Sequence, residues 1–179
     1  ESAETTPLSL AVDKIQLRES QLIYTDEAAA TRVAISDMNL LIDNANTRGI
    51  PFSVDGDLTV SQDSLVFNVA LDSDVSVNLE QDTLQLRDTT LRVKSNGAAS
   101  AEVVVTANVD VNALTNALAY EGKVSVQQTS VKTWLAVFDA AVETANADAL
   151  TKVAMAMDVK GDLDQVALSS MVITIDNTQ

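Results

Sequence analysis

Histidine and cysteine are absent from the 179 residues of this chain. These side chains most often serve as general base, metal ligand and thiol nucleophile. Zinc sites built from cysteine and histidine, disulfide frameworks and thiol redox chemistry are therefore excluded. Any catalysis would have to depend on carboxylates, hydroxyls and lysines.

Two pairs of carboxylates have a spacing that could place them side by side. Asp55 and Asp57 are two residues apart, and so are Asp162 and Asp164. Residues two apart on a strand point to the same side. Because both pairs alternate with apolar residues, the pattern predicts a solvated polar face rather than a catalytic dyad with shifted pKa values.

Other motifs of known chemistry are incomplete. Asp72, Asp74 and Ser76 resemble the start of a calcium loop, but Val77 stands where that loop needs glycine and no glutamate follows at position twelve. The glycines are isolated and form no phosphate-binding loop. Thr129 to Lys132 gives TxxK without the companion motifs of serine–lysine enzymes, and Thr129 is better explained as a helix cap. The sequence predicts no enzyme, no metal site and no cofactor.

Composition limits the partners. With 26 acidic residues against 11 basic ones, the net charge is −15, which repels nucleic acid and anionic lipid headgroups. No apolar run approaches the roughly 18 residues of a membrane span. The chain begins at Glu1 with no signal-peptide pattern, and we expect residues 1–179 to be a single-unit fragment of a larger protein.

Alternation of apolar and polar residues dominates the chain and predicts long antiparallel strands with one apolar face. Several runs reach nine to eleven residues, which would span about 30 to 36 Å. The alternating apolar positions include Phe52 to Val60, Leu65 to Leu71, Val75 to Leu79, Val103 to Val111, Tyr120 to Val126, and Val153 to Leu163.

A weak internal repeat has the form apolar-x-apolar-x-(Asp/Glu/Ser)-x-x-apolar-x-apolar. Its copies begin at Ile15, Val33, Leu84 and Val166, and their central polar residues are Glu19, Asp37, Asp88 and Ser170. Each copy shifts its phase by one residue in the middle. If both halves face the same side, a bulge or bend must lie at the polar residue.

One segment, Ser130 to Glu143, has helical spacing instead, with Trp134, Leu135 and Phe138 among its apolar residues. We expect an amphipathic helix over about 130–143 that covers one end of the sheet.

The apolar sheet face is the remaining candidate for function. Two such faces could pack as a sandwich core, or one curved sheet could form an open apolar groove that holds acyl chains. The residues predicted to line the groove are Val54, Leu58, Val60, Phe67, Val69, Val103, Val105, Val109, Val124, Val126, Met155 and Met157.

Several segments resemble the late part of AsmA family proteins. They are the strand Tyr120 to Val126, the following helix with Trp134–Leu135, the turn Asn146 to Leu150, and the ending Ile175-Asp176-Asn177-Thr178. The early stretch from Ile15 to Phe52 is also similar. The chain departs from the family pattern in having Trp134–Leu135 in place of a leucine pair, and it lacks the strand beyond the final motif.

This resemblance implies a mostly β fold with a long-stranded, curved antiparallel sheet that forms an open apolar groove. It further implies a non-catalytic periplasmic segment of a Gram-negative protein for phospholipid transport and outer-membrane biogenesis, tethered to the inner membrane through an N-terminal anchor missing from this chain. The family is similar to bridge-like lipid-transfer proteins. The expected partners are lipid acyl chains. The alternative is an envelope assembly module that binds a protein partner through a sheet edge without a lipid ligand. Separately, the open ends of a shortened groove could pair with those of a second copy.

Overall fold

A computed structural model describes residues 9–27, 31–97, 99–115 and 117–176 of the chain. The described part contains nine strands and one helix. The strands are β1 (Ala11–Asp26), β2 (Thr31–Asn46), β3 (Phe52–Gln62), β4 (Leu65–Asn78), β5 (Thr83–Ser95), β6 (Glu102–Asn112), β7 (Ala119–Thr129), β8 (Val153–Asp162) and β9 (Val166–Ile175). Helix α1 (Val131–Val137) lies between β7 and β8.

All nine strands form one open, curved antiparallel sheet in chain order from β1 to β9. Each strand pairs with the strand before it, and most connections are short turns, so the chain has no crossover that would carry it into a second layer. The predicted mostly β fold with an open antiparallel sheet is confirmed. The sandwich alternative is wrong, because there is no second sheet among the described residues.

Bulges interrupt four strands at the central polar residue of each repeat copy. These residues have positive φ, at 45° for Glu19, 52° for Asp37, 48° for Asp88 and 50° for Ser170. The strand register shifts at each of these points. The extra residue changes which side chains face each side of the sheet, so both halves of a copy present apolar residues to the same face. The prediction of a bulge at these residues is confirmed. Each bulge lies inside one continuous strand.

Asparagine side chains on neighbouring strands stabilise two of the bulges. The backbone N–H of Glu19 donates to Oδ1 of Asn39 at 3.1 Å, and the N–H of Asp88 donates to Oδ1 of Asn108 at 2.9 Å. A bulged residue loses its place in the strand ladder, and these side chains give its N–H a partner.

Helix α1 is half as long as the sequence predicts. Ser130 caps its N-terminus, accepting from the N–H of Thr133 at 3.1 Å. At the other end Asp139 adopts a positive φ of 54°, and Ala140 donates back to the carbonyl of Leu135 at 2.8 Å. This Schellman-type ending closes the helix at Val137 without a glycine, so the prediction of a helix to Glu143 is wrong.

Candidate functional site

The strand register places the twelve predicted groove residues on one face of the sheet. Directly opposed residues of antiparallel strands share a face, and the opposed pairs link these residues from strand to strand. Leu58 lies opposite Val69, for example, and Val124 lies opposite Met157. We call this side, with Leu17, Leu40, Leu71, Leu91 and Ile173, the apolar face.

One row of opposed residues crosses the apolar face through every strand. Its members in order are Leu17, Leu40, Gly56, Leu71, Leu91, Val105, Val126, Met155 and Ile173. With neighbouring strands about 4.8 Å apart, the row is about 38 Å long. It contains no charged or hydrogen-bonding side chain.

The apolar face has no covering layer over most of its extent in the described part of the chain. Contacts between strands are formed chiefly by neighbours in the sheet. Three members of the row remain well exposed, Leu17 at 38%, Leu71 at 37% and Ile173 at 42%. The only hydrophobic residues of the described chain that are buried are Ala101 and Val111. A sheet of this size with so small a core differs from a sandwich, where two inner faces bury each other.

Helix α1 covers one end of the apolar face through an aromatic cluster. The rings of Phe67, Trp134 and Phe138 have centroids 6.1 to 6.2 Å apart, within the range of favourable aromatic pairs. Phe67 belongs to the apolar face because it lies opposite Val60. Of the three residues predicted to cover this end, Trp134 and Phe138 contact Phe67 through their rings, whereas Leu135 is not part of the cluster.

An open hollow of about 450 Å³ lies beside this aromatic cluster. Its lining comprises Phe67, Val93, Val103, Thr129, Trp134 and Phe138. The only polar side chain other than the indole is that of Thr129, whose hydroxyl accepts from Nε1 of Trp134 at 3.2 Å and donates to the carbonyl of Glu102 at 2.6 Å. Both polar groups are thus satisfied by each other and the backbone, and the hollow offers an apolar surface.

The apolar face contains one buried polar pair. Ser73 lies opposite Val54, and its hydroxyl is 2.7 Å from that of Thr89 on β5. Ser73 is 5% exposed. Because the two hydroxyls bond each other, neither needs water or a ligand.

Two glycines of the apolar face allow the strands to approach closely. A Cβ at Gly122 would lie 2.3 Å from the carbonyl oxygen of Asn108, and one at Gly161 would lie 2.7 Å from the hydroxyl of Tyr120. Tyr120 lies opposite Gly161 on the neighbouring strand, so its ring covers the space that the glycine leaves. No sequence motif singles out this pair.

The opposite face of the sheet carries the charge. Asp55 lies opposite Asp72, and a hydrogen bond between the two carboxyls, with some desolvation and repulsion from Asp72, Asp43 and Asp74, raises the pKa of Asp55. Asp55 and Asp57 lie on the polar face as predicted, but the prediction of an unshifted pKa is wrong for Asp55. Its partner comes from the next strand rather than from Asp57, which instead accepts from Asn39 at 3.0 Å.

Asp176, directly after β9, joins the end of the sheet to the loop after α1. Its carboxylate accepts from the N–H groups of Leu150, Thr151 and Lys152 at 2.6 to 3.1 Å. Partial desolvation acts to raise the pKa of Asp176, but these three bonds and the Lys152 charge outweigh it and lower the pKa. The sequence pattern included Asp176, while Asn177 and Thr178 of the same motif lie outside the described residues.

The side chains considered for catalysis are not assembled for it. Lys132 donates to Thr144 and to the carbonyl of Ala147, at 3.3 and 3.0 Å, while the hydroxyl of Thr129 bonds the indole of Trp134 and the carbonyl of Glu102. Within the described ranges there is no group of three or more carboxylates that could hold a metal ion. The one helix of the described ranges, α1, has seven residues and is too short to span a membrane.

Comparison with known proteins identifies a family without assigning a function. Neither the curated proteins nor the solved structures contain a match to this chain. One protein-family model matches residues 1–177, and its description gives no activity and no link to AsmA proteins. The chain belongs to that family, DUF2125, described as an uncharacterized protein conserved in bacteria.

Proposed function

We propose that the apolar face shelters the acyl chains of lipids, so that the chain is a non-catalytic part of a lipid-transporting protein. The observation that supports this most is the uncovered row of apolar side chains through all nine strands. An apolar surface that no layer covers, in a protein of net charge −15, is typical of a binding site for a ligand or partner. A flexible hydrocarbon chain fits such a surface, since it needs neither hydrogen bonds nor charge.

The distribution of polar groups supports acyl chains over polar ligands. The only polar side chains described within the middle of the face, Ser73 and Thr89, satisfy each other. Each methylene transferred from water to the face contributes up to about 0.8 kcal/mol, less when contact is one-sided. The affinity would therefore increase with the length of the acyl chain. It would not select strongly for one type of acyl chain, as transport requires.

The cellular setting in this proposal comes from the resemblance to AsmA family proteins. The segment would act in the periplasm of Gram-negative bacteria, with phospholipid as its cargo and the inner membrane as its anchorage. These features are what the resemblance implies. A test of whether the purified chain binds lipid does not test them.

Matched charge insertions on opposite faces of one strand test the proposal. Met155 is on the apolar face, while its neighbour Ala156 is exposed on the other. Met155→Asp and Ala156→Asp add the same charge one residue apart. We expect Met155→Asp to abolish labelling by a photo-crosslinkable phospholipid, and Ala156→Asp to leave it unchanged, with mass spectrometry of organic extracts as a second measurement.

A second pair of variants, on another strand, tests whether the result for the first pair is a local effect of substitution in β8. Val105→Asp and Val104→Asp on β6 should behave like the first pair, because Val105 lies in the apolar row. Equal labelling of all four variants would contradict lipid binding at this face. Absence of lipid together with a captured protein partner would instead favour the envelope assembly module.

A further inference from the structure

The two edges of the sheet differ in charge and exposure. Edge strand β1 carries Asp13, Lys14, Arg18 and Glu19 along its length. Edge strand β9, VALSSMVITI, has no charged residue and no proline. Its residues Val166, Leu168, Met171 and Val172 are 47% to 66% exposed. Charges are the usual protection of an open edge against pairing, so β1 is protected and β9 is not.

Strand β9 can pair with a second β9 in one register that keeps the apolar faces together. Before the bulge at Ser170, the apolar face is formed by the even-numbered Leu168, and after it by the odd-numbered Ile173. In antiparallel pairing, Leu168 of each copy would lie opposite Ile173 of the other. A slip by one residue would set residues of the apolar face against residues of the other face, and a slip by two would move the two bulges at Ser170 out of line.

The chain already contains a pairing of this kind. Strands β1 and β2 are two copies of the same repeat, and they pair bulge beside bulge. Leu17 lies opposite Leu40, Leu22 lies opposite Ile35, and Ser20 lies opposite Met38. In the repeat, Ser20 and Met38 both follow the positive-φ residue, so in β9 the equivalent residue is Met171.

We propose that β9 is a self-association edge, at which a second copy of this chain adds its own β9 antiparallel and in the register of the β1–β2 pair. A two-fold axis normal to the sheet would pass between the two Met171 residues. This rotation keeps both apolar faces on the same side, so two nine-stranded sheets become one continuous sheet. The proposal rests on the edge alone and does not depend on lipid binding.

The charge pattern explains why β9 and not β1 takes the second copy. At the positions next to the axis β9 has Ser169 and Ser170, whereas β1 has Arg18 and Glu19. A β1–β1 pair would pack the charged Arg18 and Glu19 of both copies beside the axis, and charges on an edge strand oppose such pairing. For two molecules of net charge −15, an uncharged edge is the place where approach costs least.

Single cysteines test the register, because the chain has none of its own. Directly opposed Cα atoms in an antiparallel pair are about 4.5 to 5.5 Å apart, which suits a disulfide. Met171→Cys should therefore form a disulfide-linked dimer under mild oxidation. The matched control is Ser20→Cys, the same repeat position on the other edge, which should stay monomeric.

Sedimentation of the unoxidised 179-residue chain tests association itself. We expect the average mass to rise with concentration toward that of a dimer. Val172→Glu, on the face away from the apolar row, should shift this rise to severalfold higher concentration, while Val172→Thr should not. A monomer at every concentration, cross-linking through Ser20→Cys instead of Met171→Cys, or mass gained only with a foreign polypeptide would each overturn the proposal.

Discussion

At the residue scale, Asp176 connects parts of the chain that are far apart in sequence. Its carboxylate holds three consecutive N–H groups of the loop after α1, while its own N–H donates to the carbonyl of Lys152 at 2.8 Å. The N–H of Lys132 in α1 donates to the carbonyl of Leu150 in the same loop, at 3.2 Å. The position of the helix over the apolar face thus depends on a residue at the end of the last strand.

Replacing Asp176 by asparagine should loosen this loop. An amide offers one acceptor oxygen in place of two, so at least one of the three N–H groups loses its partner. We expect faster hydrogen exchange of the Leu150, Thr151 and Lys152 amides and a lower Tm, whereas Asp148→Asn in the same loop should change neither. Unchanged exchange in Asp176→Asn would contradict this role.

The pH dependence of the same loop has a defined sign. The folded-state pKa of Asp176 is lowered, so its contribution to stability is complete above the ordinary pKa of an aspartate. That contribution is lost as pH falls through the folded value. Amide exchange corrected for its intrinsic pH dependence should show loop opening in acid in the wild type and little change in Asp176→Asn.

For Asp55 the dependence of stability on pH has the opposite sign. Its folded-state pKa is raised by the Asp72 carboxyl, so its contribution is favourable when protonated and is lost as pH rises through the folded value. At neutral pH, Asp55→Asn should therefore stabilise the chain, by at most about 1 kcal/mol because Asp55 is only half-buried and solvent screens its interaction with Asp72. Asp13→Asn on β1 is the control, and high salt should reduce the difference in Tm between Asp55→Asn and the wild type.

At the element scale, the sequence predicts the strands and four of their bulges for a local reason. A strand side chain changes face at every residue, so a phase shift in the apolar pattern requires an extra residue, and Glu19, Asp37, Asp88 and Ser170 mark it. The end of α1 cannot be predicted from the apolar pattern. Val142 continues the helical spacing, but the helix has already ended at Val137, and the positive φ of Asp139 and the hydrogen bonds of the helix end are not visible in that spacing.

The bulge at Asp88 should tolerate glycine and reject a β-branched residue. Its φ of 48° is strained for valine and unstrained for glycine. We expect Asp88→Val to lower the free energy of unfolding by about 1 to 3 kcal/mol and Asp88→Gly to change it little. Chemical denaturation measures both, and equal stability of the two variants would show that the bulge is not held at this backbone conformation.

At the scale of the whole molecule, the choice between an open sheet and a sandwich lies beyond local patterns. Both architectures need alternating apolar residues, and the twelve groove residues would suit either. What differs is whether a connection crosses to a second layer, and here every described strand pairs with its predecessor, even across the long connection that carries α1. The aromatic cluster was predictable in part, since Trp134 and Phe138 stood on an apolar helix, but their partner Phe67 lies far away in sequence.

The single tryptophan allows a direct measurement of how far a lipid extends along the sheet. Trp134 lines the hollow at one end of the apolar face, so an acyl chain that reaches this end would contact its indole. Phospholipids with brominated acyl chains should therefore quench Trp134 fluorescence, and Val103→Asp in the hollow should reduce that quenching. The control is a double variant, Trp134→Phe with Ala156→Trp. Its single indole lies on the opposite face of the sheet, and its fluorescence should not be quenched. Equal quenching at both positions would indicate nonspecific lipid adsorption, while quenching at Trp134 alone would place acyl chains on the apolar face as far as α1.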